Sequence, residues 1–301
     1  MSSAAIRVLL ADSIDYAGLF PPAALALEEV AANYAAYRIQ SDRWALGRLV
    51  VPAACVAELS RAAKKTQAPN DGPWQISALI GANSAADLEA IRLINQTDAE
   101  HLVVDAIELR AATAGEVEKA VTEIKGVLGS DMARSTYVEV PVVDDPGILI
   151  AAVASNGARA KIRMGGVTPE VFPTPASVAR FIGCCARSRV VFKATAGLHH
   201  PCRGQFRLTY ADDAPVGTMF GFLNIFVAAA HSFVGTDESI VVDVLEERDA
   251  AAFHFSEQGV EWRGMQLTLG QLADARSNFI IAFGSCSFRE PIDDLTRLGL
   301  A

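Results

Sequence analysis

The chain has 301 residues, of which 51% are hydrophobic and 20% charged, enough apolar material for one large domain or two small ones. Its formal net charge is -9 and its longest basic cluster is Lys64-Lys65, which argues against a nucleic-acid partner. The cysteines at 55, 184, 185, 202 and 286 form no C-x-x-C pair, so no disulfide framework or structural zinc site is expected and a reducing, cytoplasmic setting fits.

The first twelve residues lack the long apolar region of a signal peptide. Ile6 to Ala11 is an apolar run expected to form a first strand, followed by a loop over 15–22. Pro21 and Pro22 are expected to open a helix over 23–38, with Glu28 and Glu29 early in it. Next come a strand over 46–51, a helix over 53–65, a strand over 74–81 and a helix over 84–95 capped by Ser84. A strand over 101–107, a helix over 114–128, a strand over 136–143 and a helix over 146–154 follow. Strands over 159–164 and 189–195 flank a helix over 175–187. Then the alternation breaks. Residues 198–277 read as a loop, helices near 220–230 and 238–248, a hairpin pairing 252–255 with 260–263, and a helix over 269–275. An eighth buried strand over 278–284 and a helix over 292–298 complete the chain.

Strands alternating with helices imply a parallel sheet with right-handed crossovers. The reading is α/β: a single (β/α)8 TIM barrel with an insertion, 198–277, between strands seven and eight. A doubly wound open sheet is the alternative. The absence of G-x-G-x-x-G after the first strand counts against its dinucleotide-binding form, and no cofactor is expected. Residues 214–236 contain no Asp, Glu, Lys or Arg, a length that by itself permits a membrane span. Pro215, Gly217, Asn224 and His231 interrupt it, so a buried helix and no membrane partner are expected.

Strand parity sorts side chains between the barrel interior and the helix layer. It sends Val103 and Asp105 of strand four, and Tyr137, Glu139 and Pro141 of strand five, inward. From strand six it sends Lys161, Arg163 and Gly165, and from strand seven Val191, Lys193, Thr195 and Gly197. Buried ion pairs stabilise poorly compared with apolar packing, so such a cluster calls for a task. The plainer reading is a charge network that only fills the barrel, Glu139 and Asp105 neutralising Lys161 and Arg163.

The task that lysines in such a cluster suit is Schiff-base formation. Desolvation and neighbouring cations lower an amine's pKa and free its lone pair for attack on a carbonyl. Lys193 is the favoured nucleophile, with Lys161 and Arg163 about 5 Å away on the next strand. Glu139 or Asp105 relays protons, and Thr195 orients a hydroxyl or water.

Around this centre, His199, His200 and Cys202 are zinc-capable ligands, with Asp15 or Asp105 as additions; otherwise the histidines line the pocket or meet solvent. Gly165, Gly166 and Gly197, with Ser285 and Ser287 after strand eight, outline an anion-binding cup. Asp15 and Arg48 are expected at the mouth, Arg48 as a clamp for a carboxylate or phosphate. Asn224 is expected to line the pocket from the insertion.

Phe-Lys-Ala-Thr-Ala-Gly-Leu at 192–198 resembles the Lys-Thr-Ser-Thr-Gly strand of deoxyribose-phosphate aldolases, class I aldolases on this barrel. The resemblance implies lysines on strands six and seven, here Lys161 and Lys193, and a proton-transferring aspartate, for which Asp105 is the analogue. That family's Schiff-base motif lies on strand six, whereas the similar motif here lies on strand seven. As a whole the chain resembles an uncharacterised bacterial protein family. The segments that carry this are Asp-Tyr-Ala-Gly-Leu-Phe-Pro-Pro-Ala at 15–23, Leu-Gly-Arg at 46–48, Lys-Ala-Thr-Ala-Gly-Leu-His-His-Pro at 193–201, Gly-Phe-Leu-Asn at 221–224 and Phe-Gly-Ser-Cys-Ser-Phe at 283–288. It implies kinship and no activity.

The function expected is a class I, aldolase-like lyase acting on a small anionic carbonyl compound. A metal-dependent lyase or isomerase using His199 and His200, and a non-catalytic small-molecule-binding barrel, are the alternatives. The apolar insertion leaves room for a homo-oligomer.

Overall fold

The computed structural model describes residues 2–300. Eight parallel strands close on themselves: β1 (Ile14–Tyr16), β2 (Leu46–Pro52), β3 (Trp74–Leu79), β4 (Leu102–Arg110), β5 (Thr136–Glu139), β6 (Arg159–Arg163), β7 (Phe192–Thr195) and, after five short strands, β13 (Ile280–Ser285). β1 pairs with both β2 and β13, so the sheet is a barrel and the open-sheet alternative falls. The fold is the expected (β/α)8 architecture.

Helices cover the barrel: α1 (Ala4–Leu10), α2 (Leu27–Arg38), α3 (Val56–Thr66), α4 (Ser84–Thr97), α5 (Ala114–Leu128), α6 (Ser130–Arg134), α7 (Gly147–Ser155) and α8 (Pro175–Ser188). Between β7 and β13 lie a hairpin, β8 (Gly204–Arg207) with β9 (Val216–Met219), and helices α9 (Phe222–Phe233) and α10 (Glu238–Glu246). A three-stranded sheet of β10 (Phe253–Phe255), β11 (Gly259–Trp262) and β12 (Met265–Thr268) precedes α11 (Leu269–Asn278), and α12 (Arg289–Arg297) ends the set.

Helix α9 is the apolar stretch that invited a membrane reading. Phe222 to His231 are all buried, and α9 packs against α8, α10, α11 and β13. Among the described residues, no helix is long and apolar enough to cross a membrane.

Local expectations fail where short apolar runs are ambiguous. Residues 6–10 belong to helix α1, which Ala11 ends, not to a strand. Ala, Leu and Arg favour the helix, Ser3 caps it, and Ala5, Ile6, Leu9 and Leu10 bury one face. The first strand is instead Ile14-Asp15-Tyr16, buried throughout. Pro21 and Pro22 do not open α2; the Pro21-Pro22 bond is cis, and Ala24 has φ 45 before the helix starts at Leu27. Asn83, not Ser84, caps α4, while the Ser84 hydroxyl donates to Glu123. β5 stops at Glu139, and Pro141 lies exposed outside it. The hairpin β8–β9 and the third strand β12 stand where loop was expected.

Candidate active site

The site is laid out by register. Lys161 pairs with Lys193 across β6 and β7, Glu139 with Lys161 across β5 and β6, and Arg110 with Glu139 across β4 and β5. One row of the barrel therefore reads Arg110, Glu139, Lys161, Lys193, three cations and one carboxylate. A carboxylate that parity reading missed, Glu108, lies two residues before Arg110 on β4 and bridges the two lysines from below the row. Along β4 the pairing with β3 shifts: Val104 faces Ile76 but Ala106 faces Ser77. Asp105 is the extra residue, and beyond it the inward set becomes Ala106, Glu108 and Arg110.

Glu108 is the hub. Its Oε1 accepts from Lys193 Nζ at 2.6 Å and from the Ser77 hydroxyl at 2.8 Å, and its Oε2 accepts from Lys161 Nζ at 2.9 Å. Lys193 also donates to Asp15 Oδ2 at 2.5 Å, and its ammonium sits 5.1 Å from the Tyr137 ring centroid. Asp15 Oδ1 accepts the Arg48 backbone N–H at 2.8 Å. That approach needs Gly47, where a Cβ would meet Asp15 Oδ1 at 2.5 Å. Lys161 lies 2.9 Å from Glu139 Oε2, and Arg110 Nε lies 3.1 Å from Glu139 Oε1.

Burial would raise the Glu108 pKa, but the ammonium groups of Lys161 and Lys193 outweigh it and hold Glu108 well below the usual carboxylate range. Burial would likewise depress Lys193, yet the charges of Asp15 and Glu108 win and raise it above the ordinary lysine value. The expectation that neighbouring cations leave Lys193 neutral is thus corrected: Lys193 has two carboxylates, and these dominate.

A cavity of about 280 Å³ opens above this row. Lys161, Glu108 and Glu139 reach it, with Arg110, Arg163 and Thr195 around them. Lys193 is 1% exposed and lies beneath the cavity, outside its lining. The walls are apolar: Phe20, Pro21 and Pro22 after β1, Val50 and Leu79 of β2 and β3, and Leu208 and Met219 from the hairpin. The chain leaves β7 through two consecutive left-handed residues, Ala196 (φ 64) and Gly197 (φ 68), both in the lining.

Several expected site residues lie elsewhere. Asp105 and Arg48 pair with each other through two 2.8 Å hydrogen bonds in the lower half of the barrel, and only Val50, two residues beyond Arg48, reaches the cavity. Arg48 is no clamp at the mouth and Asp105 is too far down its strand to relay protons there. Asp15 is in β1 and sealed at 1% exposure. Asn224 is fully buried. It donates to the carbonyls of Val244 and Glu247 at 2.7 and 2.8 Å and accepts from Arg203 N at 3.0 Å, tying α9 to α10 instead of lining the pocket. The anion cup is filled by protein: Phe172 closes on Gly165 and Gly197, where added Cβ atoms would meet its ring at 2.3 and 3.0 Å. Gly166 lines the cavity, whereas Ser287 accepts the Glu290 N–H at the start of α12 and Ser285 lies outside the lining.

His199 lines the cavity, and its Nδ1 is 2.8 Å from Glu290 Oε2, which also accepts from the Tyr210 hydroxyl at 3.0 Å. Burial opposes ionisation of Glu290, but the bond from His199 prevails and lowers its pKa. Burial raises the Cys286 thiol beside it. His200 turns away to Asp294 (2.6 Å) and stacks on Phe206 with ring centroids 3.6 Å apart. The two histidines serve different carboxylates, and among the described residues no three His, Cys, Asp or Glu side chains converge as a metal-ligand set. Glu290 and Tyr210 carried no sequence signal; they come from α12, just after the last barrel strand, and from the β8–β9 loop.

No family model matches the chain, and no curated protein matches it.

Proposed function

We propose that the protein is an aldolase-like lyase that forms a Schiff base with a small carbonyl compound, and that Lys161 is its nucleophile. The observation that carries this reading is the asymmetry between the two lysines. Lys161 reaches the cavity between Glu108 and Glu139, both at 2.9 Å, whereas Lys193 is sealed beneath. Lys161 is also the strand-six lysine, the strand on which the resemblance to deoxyribose-phosphate aldolases puts the Schiff base.

The roles follow from the contacts. Glu139, whose Oε1 is also held by Arg110, takes a proton from the Lys161 ammonium. The amine adds to the carbonyl carbon, and the carbonyl oxygen, twice protonated, leaves as water. Ammonium and carbonyl thus become iminium and water with no net change in protons. The iminium then accepts the electron pair of the bond from the adjacent carbon to a hydroxyl-bearing carbon, which leaves as an aldehyde as its hydroxyl proton passes to Glu139; Glu139 returns that proton to the enamine carbon, and water adds to the iminium to free the second product and restore the Lys161 ammonium. Lys193, fixed by Asp15 and Glu108, is a positioning cation that keeps Glu108 ionised under the nucleophile.

The test is reductive trapping. The protein is incubated with cyanoborohydride and a panel of aldehydes, ketones and oxo acids, and adducts are mapped by peptide mass. We expect one adduct per chain on Lys161, absent in Lys161→Met. An adduct on Lys193 would reassign the nucleophile. No adduct with any carbonyl, alongside measurable ligand binding, would leave a binding barrel and end the lyase reading.

A further inference from the structure

The charges of the site cancel, and one does not. Asp15, Glu108 and Glu139 face Lys161, Lys193 and Arg110, three of each sign in a single chain of contacts. Arg163 also lines the cavity, and among the described residues it makes no salt bridge or side-chain hydrogen bond. It stands two residues beyond Lys161 on β6, on the same face and about 7 Å further towards the mouth. A single negative charge on the ligand would pair with it.

The remaining wall has almost nothing for a hydroxyl to bond. Its other polar side chains are Thr195, which contacts the Ile162 carbonyl at 3.4 Å, Cys286, and His199, whose Nδ1 is engaged by Glu290. Opposite them stand Phe20, Pro21, Pro22, Leu79, Leu208 and Met219. Each ligand hydroxyl buried there without a partner would cost roughly tenfold in affinity, whereas each buried CH₂ would gain about fourfold. Phe172 occupies the glycine-lined ends of β6 and β7, where a phosphate would have sought backbone N–H groups.

We infer that the ligand held at Lys161 is a monocarboxylic oxo acid with an apolar, unhydroxylated tail, the enamine-forming partner that the carbon–carbon step joins to an aldehyde or releases from one: carboxylate on Arg163, carbonyl at Lys161, tail against the prolines of the β1 loop and the hairpin residues Leu208 and Met219. The same walls disfavour polyols and sugar phosphates. The carbonyl placement rests on the Schiff-base reading; the carboxylate and tail do not.

The experiment has two arms on the full chain. In the first, trapping is titrated with pyruvate, 2-oxobutanoate, 2-oxohexanoate, hexan-2-one, glyceraldehyde 3-phosphate and a polyhydroxylated six-carbon 2-oxo acid. Half-saturation is expected to fall at least tenfold from pyruvate to 2-oxohexanoate. The hydroxylated and phosphorylated compounds are expected to do no better than pyruvate. Arg163→Gln is expected to weaken 2-oxohexanoate at least tenfold and to leave hexan-2-one unchanged. In the second arm, calorimetry measures hexanoate and 2-oxohexanoate binding without reductant, to the native protein and to Arg163→Gln. If adducts form on Lys161 with the sugar phosphate preferred, or with no dependence on tail or Arg163, the ligand class is wrong and the Schiff base stands. If no adduct forms but hexanoate binds and loses affinity in Arg163→Gln, the ligand class stands and the Schiff base falls. If hexanoate and 2-oxohexanoate bind in neither arm, the inference is overturned.

Discussion

Lys193 is a charged side chain sealed away from the cavity that its neighbours line. It is 1% exposed and paired with Asp15 at 2.5 Å and Glu108 at 2.6 Å. Removing one member of a buried charge set leaves its partners uncompensated, which typically costs about 3–5 kcal/mol. Lys193→Met should therefore lower the urea-unfolding free energy by about that amount, while Lys161→Met, on the cavity side, should cost less. Equal costs would show that the two lysines share one environment. The carboxylate between them was illegible in the sequence for a countable reason. Regular alternation through β4 points Val103, Asp105 and Ile107 inward, and the single extra residue at Asp105 hands the interior to Ala106, Glu108 and Arg110. Lys161, Arg163, Lys193, Thr195 and Glu139 lie on short strands without such a shift, and parity sorted them correctly.

The strand ends and the turns behind them determine what each element contributes. β6 and β7 are regular through Arg163 and Thr195, and the chain then bends sharply through Ala196 and Gly197 at positive φ. Glycine tolerates that conformation, but the Ala196 methyl is strained in it. Ala196→Gly should raise the urea midpoint, with a gain of up to about 1 kcal/mol after the added entropy of the unfolded chain is counted. A lowered midpoint would mean that the methyl packs in the cavity wall more favourably than its backbone strain costs. The (β/α)8 order, the long break between the seventh and eighth strands and the buried α9 were legible from spacing and hydropathy. The α1 helix was not, because a short apolar run of Ala, Ile, Val and Leu fits a helix face or a strand equally. Neither was the hairpin β8–β9, whose strands are four residues each and only partly buried.

At the scale of the whole molecule, the central charge row links folding to pH. Glu108 folds with its pKa below the ordinary 4.5, so its contribution is complete above that pH and is lost as pH falls towards the folded value. Lys193 folds with its pKa above the ordinary 10.5, so its contribution is complete below that pH and is lost as pH rises towards the folded value. Urea midpoints measured from pH 3 to 11 should form a plateau between about pH 5 and 10 with a fall on each side. Glu108→Gln should lower the plateau and shallow the acid limb; an unchanged acid limb would place the acid sensitivity in other carboxylates. The hairpin β8–β9 has a different consequence. It forms its own two-stranded sheet and pairs with no barrel strand, yet Leu208 and Met219 on its flanks wall the cavity. The charged row comes from the barrel, whereas this part of the wall comes from a sheet of its own, so the sixteen residues 204–219 can be rewritten to reshape the cavity while the row is inherited intact.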